Sequence, residues 1–210
     1  MGKIEITKKV LGICATNCYT VVDTETKEAL IIDPADRADV LIRDWKDKGV
    51  TPTTVLLTHG HFDHIGALAG VKKEYPDIKV YAAAKEKEVM ESPALNLSSS
   101  FGAAFTAQAD IYLEDGAEIE VLGRKCKCLL VPGHTKGGMC YYFPEENVVF
   151  TGDTLFCYSV GRTDFPTGDA KALEEAIREK LFVLPDETLV LPGHDAQTMI
   201  GKEKKGNPYF

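Results

Sequence analysis

Three histidines and an aspartate crowd into one short segment of the chain, residues 58–64, which reads THGHFDH. The imidazoles of His59, His61 and His64 and the carboxylate of Asp63 are ligand types that zinc, iron and manganese accept. Side chains two positions apart on an extended segment point to the same side, so His59 and His61 can face one ion. The apolar residues directly before the segment are typical of a buried strand. The segment therefore predicts a metal site at the end of a strand.

The remaining two histidines of the chain stand in the same kind of place. His134 lies in the string VPGHT and His194 in LPGHD, and each follows an apolar run and a glycine. Asp153 ends a similar run in VVFTGDT. Taken alone, each would more often be a loop, packing or turn residue, but the repeated context favours ligands. If these strand ends meet at one edge, five imidazoles and two carboxylates converge, which is enough for two metal ions.

A pair of ions indicates a hydrolytic centre. Two cations roughly 3.5–4 Å apart can share a water molecule, lower its pKa and polarise a carbonyl group. We expect two divalent ions, with zinc favoured and iron or manganese as alternatives. Asp63 alone would fit the N-cap of a following helix, but a ligand role is favoured within the cluster. A structural zinc site is disfavoured, because such sites are closed and rich in cysteine.

The elements that must position these residues follow a pattern of strands first and helices later. Strands are predicted over 3–10, 16–23, 28–33, the segment before the cluster, 78–83, 117–122, 126–131, 139–143, 148–151 and 188–191. Helices are predicted over 36–48, 64–74, 85–91 and 169–181. Two strand-rich halves with helices between them favour two sheets packed face to face under outer helices. Residues 92–109 have no clear period, so we expect a functional loop, often a lid, beside the site.

Composition and charge narrow the class of protein. A chain of 210 residues with 44% hydrophobic content favours one domain over 1–210. The net charge of −8 argues against a nucleic-acid surface, which needs a basic stripe. Neither a signal-peptide core nor an apolar run of membrane-spanning length is evident, so a cytoplasmic protein without a membrane partner is expected. The six cysteines are then expected to be free thiols, and the oligomeric state stays open.

The ordered motifs resemble those of the metallo-β-lactamase superfamily. The resemblance rests on THGHFDH, on GHT around His134, on GDTLF at 152–156 and on PGHD at 192–195. It implies a four-layer αβ/βα sandwich, an α+β fold of two mixed sheets with outer helices. It also implies a distribution of ligands: His59, His61 and His134 on one ion, Asp63, His64 and His194 on the other, and Asp153 bridging.

Within the superfamily, the string VGRTDF at 160–165 and the NPY at 207–209 are most similar to the small glyoxalase II-type hydrolases. Those enzymes cleave hydroxyacylglutathione thioesters. Arg162 stands where larger glyoxalase II enzymes carry a lysine that faces the glutathione backbone, so it is predicted to bind substrate. The chain departs from them at Ala196, where they have a tyrosine, and the resemblance does not extend to their C-terminal helical domain.

Three residues receive further roles. Asp33, in the string IIDP, resembles the family's buried carboxylate that supports the ligands, and the alternative is a turn aspartate at the end of a strand. Lys136, beside His134, is a candidate to meet a substrate carboxylate, and the alternative is a solvated loop lysine. Asp63, besides its ligand role, is the candidate catalytic residue that collects a proton.

The predicted function is hydrolysis of a small-molecule thioester of the S-lactoylglutathione type by a hydroxide held between the ions. The thiolate leaves readily because thiol pKa values lie near 8 to 9. The main alternative is a persulfide dioxygenase of the same superfamily, which would use one iron on His59, His134 and Asp153. A β-lactamase is less favoured, because those enzymes work outside the cytoplasm.

Overall fold

In the computed structural model, which describes residues 2–210, two six-stranded sheets lie face to face. The first sheet contains β1 (Ile4–Leu11), β2 (Thr16–Asp23), β3 (Glu28–Ile32), β4 (Thr51–Leu56), β5 (Lys79–Ala83) and β6 (Ile111–Leu113), in that spatial order. The second contains β7 (Glu118–Val121), β8 (Arg124–Leu130), β9 (Met139–Phe143), β10 (Val148–Gly152), β13 (Leu189–Pro192) and β14 (Thr198–Met199). A small hairpin of β11 (Leu155–Phe156) and β12 (Ser159–Val160) lies between β10 and β13 in the chain. Both large sheets mix parallel and antiparallel pairs.

Helices cover the outer face of each sheet. They are α1 (Ala38–Asp47), α2 (Phe62–Ile65), α3 (Leu68–Glu74), α4 (Lys87–Glu91), α5 (Ala170–Ala176) and α6 (Ile200–Gly206). A π-helical turn over Ile177–Leu181 continues α5. Nowhere in residues 2–210 does a helix have the length and apolar character needed to cross a membrane.

Three apolar clusters hold the layers together. One packs Trp45 of α1 and Val71 of α3 against the outer face of the first sheet. The second fills the space between the sheets, where Tyr19 meets Phe150 with ring centroids 5.3 Å apart. The third packs Leu173 of α5 and neighbouring side chains on the second sheet. The central strands thus bury one face against the other sheet and the other face against helices, which gives the predicted four-layer αβ/βα sandwich.

The predicted elements after the first histidine cluster need correction. One helix was expected over 64–74, but the chain forms two helices, and the first begins already at Phe62. Gly66 separates them where it passes Ala35, since a Cβ on Gly66 would lie 2.5 Å from the Ala35 carbonyl oxygen. As a result, Asp63 and His64 belong to a short helix of their own. The sequence analysis also missed β6, the β11–β12 hairpin, β14 and α6, all of which except α6 are only two or three residues long.

Parallel pairing sets the position of the functional edge. β3 pairs with β4 in parallel up to Ile32 and Leu56, and β10 pairs with β13 in parallel up to Gly152 and Pro192. β8 runs in the same direction as β10, because both are antiparallel to β9. The carboxyl ends of these strands therefore meet at one edge of the sandwich, where every histidine lies.

The opposite edge is closed by a buried arginine. Arg124, at the start of β8, is 5% exposed. Its guanidinium group donates to Glu146 at 2.5 Å, to Asp23 at the end of β2 at 3.3 Å and to the carbonyl oxygen of Gly2. This ion pair connects the first sheet to the second at the end remote from the histidines.

We expect Arg124→Met to lower the free energy of unfolding by roughly 3 kcal/mol, because the substitution leaves two carboxylates without their cation. The urea midpoint of the apoprotein measures the loss. Zinc affinity should be unchanged, since the residue lies at the other edge, and a weakened zinc affinity would contradict the separation of the two edges.

Candidate metal centre

Three histidines from two loops bring their ring nitrogens together. His59 and His61 lie in the loop after β4, and His134 lies in the loop after β8. Nδ1 of His61 is 3.1 Å from Nε2 of His59 and 2.9 Å from Nε2 of His134. All three side chains are buried. Nitrogens this close suit one small cation with Zn–N bonds of about 2.0–2.1 Å.

A second group of three lies beside the first. Asp63 and His64 come from α2, and His194 follows β13. Oδ2 of Asp63 is 3.5 Å from Nε2 of His64 and 3.4 Å from Nε2 of His194. Thr16, at the start of β2, donates its hydroxyl hydrogen to the same oxygen at 2.7 Å. The set offers two nitrogens and one oxygen to a cation.

Asp153 lies between the two groups. It follows β10, and its Oδ1 is 3.4 Å from Nε2 of His64. Its Oδ2 is 3.6 Å from Nε2 of His134 and 3.3 Å from Nε2 of His194. One carboxylate thus contacts members of both sets. The structure brings the side chains of all seven predicted ligands together.

Hydrogen bonds on the far side of each ring decide which nitrogen faces the centre. Nδ1 of His134 donates to the carbonyl oxygen of Arg162 at 2.7 Å, and Nδ1 of His64 donates to Asp33 at 2.8 Å. The Thr58 hydroxyl donates to Asp33 at 2.6 Å, which leaves it to accept from Nδ1 of His59 at 3.2 Å. Because the Nδ1 atoms of these three rings are used in this way, their Nε2 atoms are available to a metal, whereas His61 turns its Nδ1 towards the first set.

Cations would satisfy the donor atoms of the cluster better than hydrogen bonds among these atoms do. His59 and His134 both turn an unprotonated Nε2 towards Nδ1 of His61, which has at most one hydrogen to share. Five buried side-chain atoms of residues 2–210 have no hydrogen-bond partner, and three of them lie in this cluster: Nε2 of His61, Nε2 of His64 and Oδ1 of Asp153. Buried groups of this kind are normally satisfied, and cations held by the two sets would satisfy Nε2 of His64 and Oδ1 of Asp153.

The histidines of the two sets also differ in their pKa values. Burial, then the positive charges of neighbouring rings, lowers the pKa of His59 well below its usual range and that of His61 to about 3. Burial also lowers the pKa of His134. For His64 burial acts downward too, but Asp63 and neighbouring carboxylates outweigh it and raise the pKa well above its usual range. The first set is therefore neutral and ready to bind a metal, whereas the second would release protons when it binds one.

Asp63 and Asp33 differ in their surroundings. Burial raises the pKa of Asp63, but the charge on His64 and the hydrogen bond with His194 outweigh it and lower the pKa to about 2. Asp33 is 1% exposed, has a left-handed φ of 50° and accepts both the N–H and the hydroxyl of Thr58. The structure thus places Asp33 directly behind His64, as the resemblance implied, and not in an exposed turn.

The two predicted substrate-binding residues have different positions. Arg162 lines a cavity of about 410 Å³ whose floor is the metal-binding cluster, and its guanidinium group lies 4.2 Å above the ring centre of Phe165. Lys136 lies outside this cavity. It forms an ion pair with Glu88 and lines a separate, shallow depression. The structure therefore does not bring Lys136 together with the other candidate residues.

A buried glutamate that the sequence analysis missed connects the two histidine loops. Glu86, just before α4, is 0% exposed. Its Oε1 accepts the N–H of Gly60 at 2.9 Å, between His59 and His61, and its Oε2 accepts the hydroxyl of Thr135 at 3.0 Å, next to His134. Burial raises the pKa of Glu86 to about 7, and these hydrogen bonds act in the opposite direction. In the sequence, Glu86 belongs to a charged segment, where nothing distinguishes it from its exposed neighbours.

Glu86→Gln should weaken zinc binding roughly 10- to 100-fold, the usual effect of losing a partner that orients ligands. The amide turns an N–H₂ group towards a donor, so one of the two loops loses its anchor. Zinc dissociation constants, measured by competition with a coloured chelator, test this expectation.

Glu203→Gln is the matched control, because Glu203 is equally buried and also accepts a threonine hydroxyl, from Thr198, and a backbone N–H, from Tyr158. Both variants should lower the melting temperature. Only Glu86→Gln should change zinc affinity, and equal zinc affinities in the two variants would show that Glu86 acts on stability alone.

Comparison with known proteins agrees with the fold. The family model of the metallo-β-lactamase superfamily matches residues 11–194. A probable metallo-hydrolase of Bacillus subtilis, YqgX, is 37% identical over 95% of this chain and 94% of its own length. The hydroxyacylglutathione hydrolase GloC of Haemophilus influenzae is 35% identical over 92% of both chains. The crystal structure of the B3 metallo-β-lactamase BLEG-1 superposes with a TM-score of 0.92 at 39% identity, over 98% of this chain and 99% of that one. The chain therefore belongs to the metallo-β-lactamase superfamily and is one of its metal-dependent hydrolases.

Proposed function

We propose that this protein hydrolyses thioesters of small molecules, with hydroxyacyl thioesters of the S-lactoylglutathione type as the reference substrates. One observation carries the proposal: two sets of three candidate ligands, with Asp153 between them, lie at an open cavity that members of both sets line. The relative GloC, a hydroxyacylglutathione hydrolase, matches nearly the whole chain and supports the same reaction class.

His59, His61 and His134 would hold one ion, and Asp63, His64 and His194 the other, with Asp153 between them. Two divalent ions, when bound, lower the pKa of water and polarise a carbonyl group. Zinc is the first candidate, because the set of nitrogen and oxygen donors suits it, and iron and manganese accept the same ligands.

The chain's own residues orient the reaction. The side chains of His61, Asp63 and Asp153 line the cavity, so a thioester carbonyl can approach the ligand cluster from the open side. Attack by water on the carbonyl carbon breaks the C–S bond and gives an acid and a thiolate. The thiolate needs no general acid, because thiol pKa values lie near 8.5, and this suits a site in which every histidine already has a ligand position.

Asp63 is the candidate to receive the proton of the attacking water. Its ionised carboxylate faces the cavity floor, and Thr16 and His194 contact its Oδ2 only. Oδ1 is therefore the oxygen on which a proton can be held. Arg162 lies at the cavity wall and is the candidate to contact the substrate's polar arm.

A persulfide dioxygenase is the alternative, in which one iron would be held by His59, His134 and Asp153. Such a site gives Asp63, His64 and His194 no role, although their donor atoms also lie within 4.8 Å of one another. The gathered second set therefore favours the two-ion hydrolase. A β-lactamase activity is the third possibility, because BLEG-1 resembles this chain closely.

His59→Ala should abolish thioester hydrolysis, with a loss of at least roughly a hundredfold in kcat/KM, because it removes a ligand from the first set. The measurements are the metal content of the purified protein and the hydrolysis of S-lactoylglutathione by wild type and variant. Arg178→Ala, on an exposed helical turn remote from the cavity, serves as the control and should retain wild-type activity.

About two metal ions per chain and a thioesterase activity lost with His59 would support the proposal. One iron per chain, no thioester cleavage and oxygen uptake with glutathione persulfide would overturn it in favour of the dioxygenase. Rapid cleavage of a chromogenic cephalosporin, with no thioester cleavage, would overturn it in favour of a β-lactamase.

A further inference from the structure

The walls of the metal-site cavity are aromatic on more than one side. We propose that this cavity selects thioesters whose acyl arm is uncharged and aromatic. The inference rests on the proposed thioesterase function and adds the substrate class. It follows from three features of the described residues: the ring positions, the anchoring of the loop that carries one wall, and the distribution of charge.

The first wall is a stacked pair of phenylalanine rings. Phe62, directly beside Asp63, lies face to face with Phe101, with ring centroids 4.6 Å apart and planes inclined by 16°. Both rings line the cavity, and Phe101 is 51% exposed. A large apolar side chain that is half exposed beside a reactive centre offers area that an apolar ligand can cover.

Two further phenylalanine rings stand next to the histidines. The centroid of Phe165 is 5.6 Å from the ring of His61 and 6.0 Å from that of His134. Phe156 of β11 is 6.1 Å from the ring of His194. Aromatic rings therefore lie beside histidines of both sets, and aromatic ligand groups pack on such rings in stacked or edge-on arrangements.

Hydrogen bonds anchor the loop over residues 92–109, which carries the wall that contains Phe101. Asn96 is fully buried, donates to the carbonyl oxygen of Phe105 at 2.9 Å and accepts the N–H of Phe62 at 2.8 Å through its own carbonyl. Leu97, which follows it and lines the cavity, has a left-handed φ of 67°. A branched residue adopts this conformation only where its surroundings impose it. These contacts fix the loop to α2, so the loop keeps a constant position relative to Asp63 and His64.

The charges of the cavity disfavour an anionic arm. Apart from the histidines, Arg162 is the cationic residue that lines it, and Nε and Nη2 of its guanidinium group bind Asp164, at 2.9 and 2.7 Å. Asp195 adds a carboxylate to the rim. Lys136 is paired with Glu88 outside the cavity. A carboxylate on the substrate's acyl arm would therefore have to compete with Asp164 for Arg162.

Three thioesters of one neutral thiol, N-acetylcysteamine, test the proposal with the metal-loaded protein: the acetyl, the phenylacetyl and the 4-carboxyphenylacetyl thioester. We expect kcat/KM for the phenylacetyl thioester to exceed that for the acetyl thioester by roughly tenfold, mainly through a lower KM, because the ring covers apolar wall. Adding the carboxylate should remove this advantage.

Phe101→Ala should lower kcat/KM for the phenylacetyl thioester several times more than for the acetyl thioester. Val183→Ala is the control, because Val183 is 70% exposed and lies outside the cavity, so the ratio should stay at its wild-type value. Zinc content, measured for each variant, verifies that the metal centre is intact.

The outcomes separate this inference from the proposed function. Equal kcat/KM for the acetyl and phenylacetyl thioesters, or a ratio that Phe101→Ala leaves unchanged, overturns the aromatic arm alone. Equal kcat/KM for the charged and uncharged arms overturns its neutrality. If none of the three thioesters nor S-lactoylglutathione is cleaved, the proposed function fails, and the inference fails with it.

Discussion

The functional edge depends on a group of buried donor atoms that do not satisfy one another as hydrogen-bond partners. His59 and His134 direct unprotonated nitrogens at a third ring, and Asp153 buries a carboxylate oxygen without a hydrogen-bond partner. Burial of such groups costs free energy unless a partner of opposite charge is supplied. The fold must therefore hold these atoms at short distances although their burial costs free energy, and nearly every other feature of this edge contributes to holding them.

The anchors are mostly backbone groups and small residues. The carbonyl oxygen of Arg162 orients His134, and Asp33, itself bound by the backbone of Thr58, orients His64. Gly193 lies against the cluster, since a Cβ at that position would be 2.3 Å from Oδ1 of Asp153. On the other side, Asn17 donates to the carbonyl oxygen of Pro192 at 2.9 Å and fixes the loop that carries His194. Because these anchors sit on strand ends, the sheets, and not the loops alone, set the geometry of the site.

This division explains how much could be predicted from the sequence. The seven candidate ligands could be named from the sequence, because the cluster at 59–64, His134, Asp153 and His194 all come shortly after apolar runs, and parallel strands bring such ends to one edge. The supporting groups were not, because a carbonyl oxygen such as that of Arg162 has no signal in the sequence. Glu86 carries the type of residue expected on a surface helix, and only the packing of α4 against both histidine loops reveals it. Lys136 failed for the opposite reason: it is adjacent to His134 in sequence, yet its side chain turns outward to Glu88.

Buried carboxylates are compensated by different groups at the two edges of the sandwich. At the far edge the guanidinium group of Arg124 supplies a cation to Asp23 and Glu146 from within the chain. At the functional edge, Asp33, Asp63 and Asp153 face five imidazoles, of which the first set is kept neutral by burial. A chain that can bury an arginine against carboxylates at one edge has the means to do so at the other. The first set instead presents neutral imidazole nitrogens beside an aromatic cavity, and neutral imidazoles are the form that binds cations able to act on a substrate.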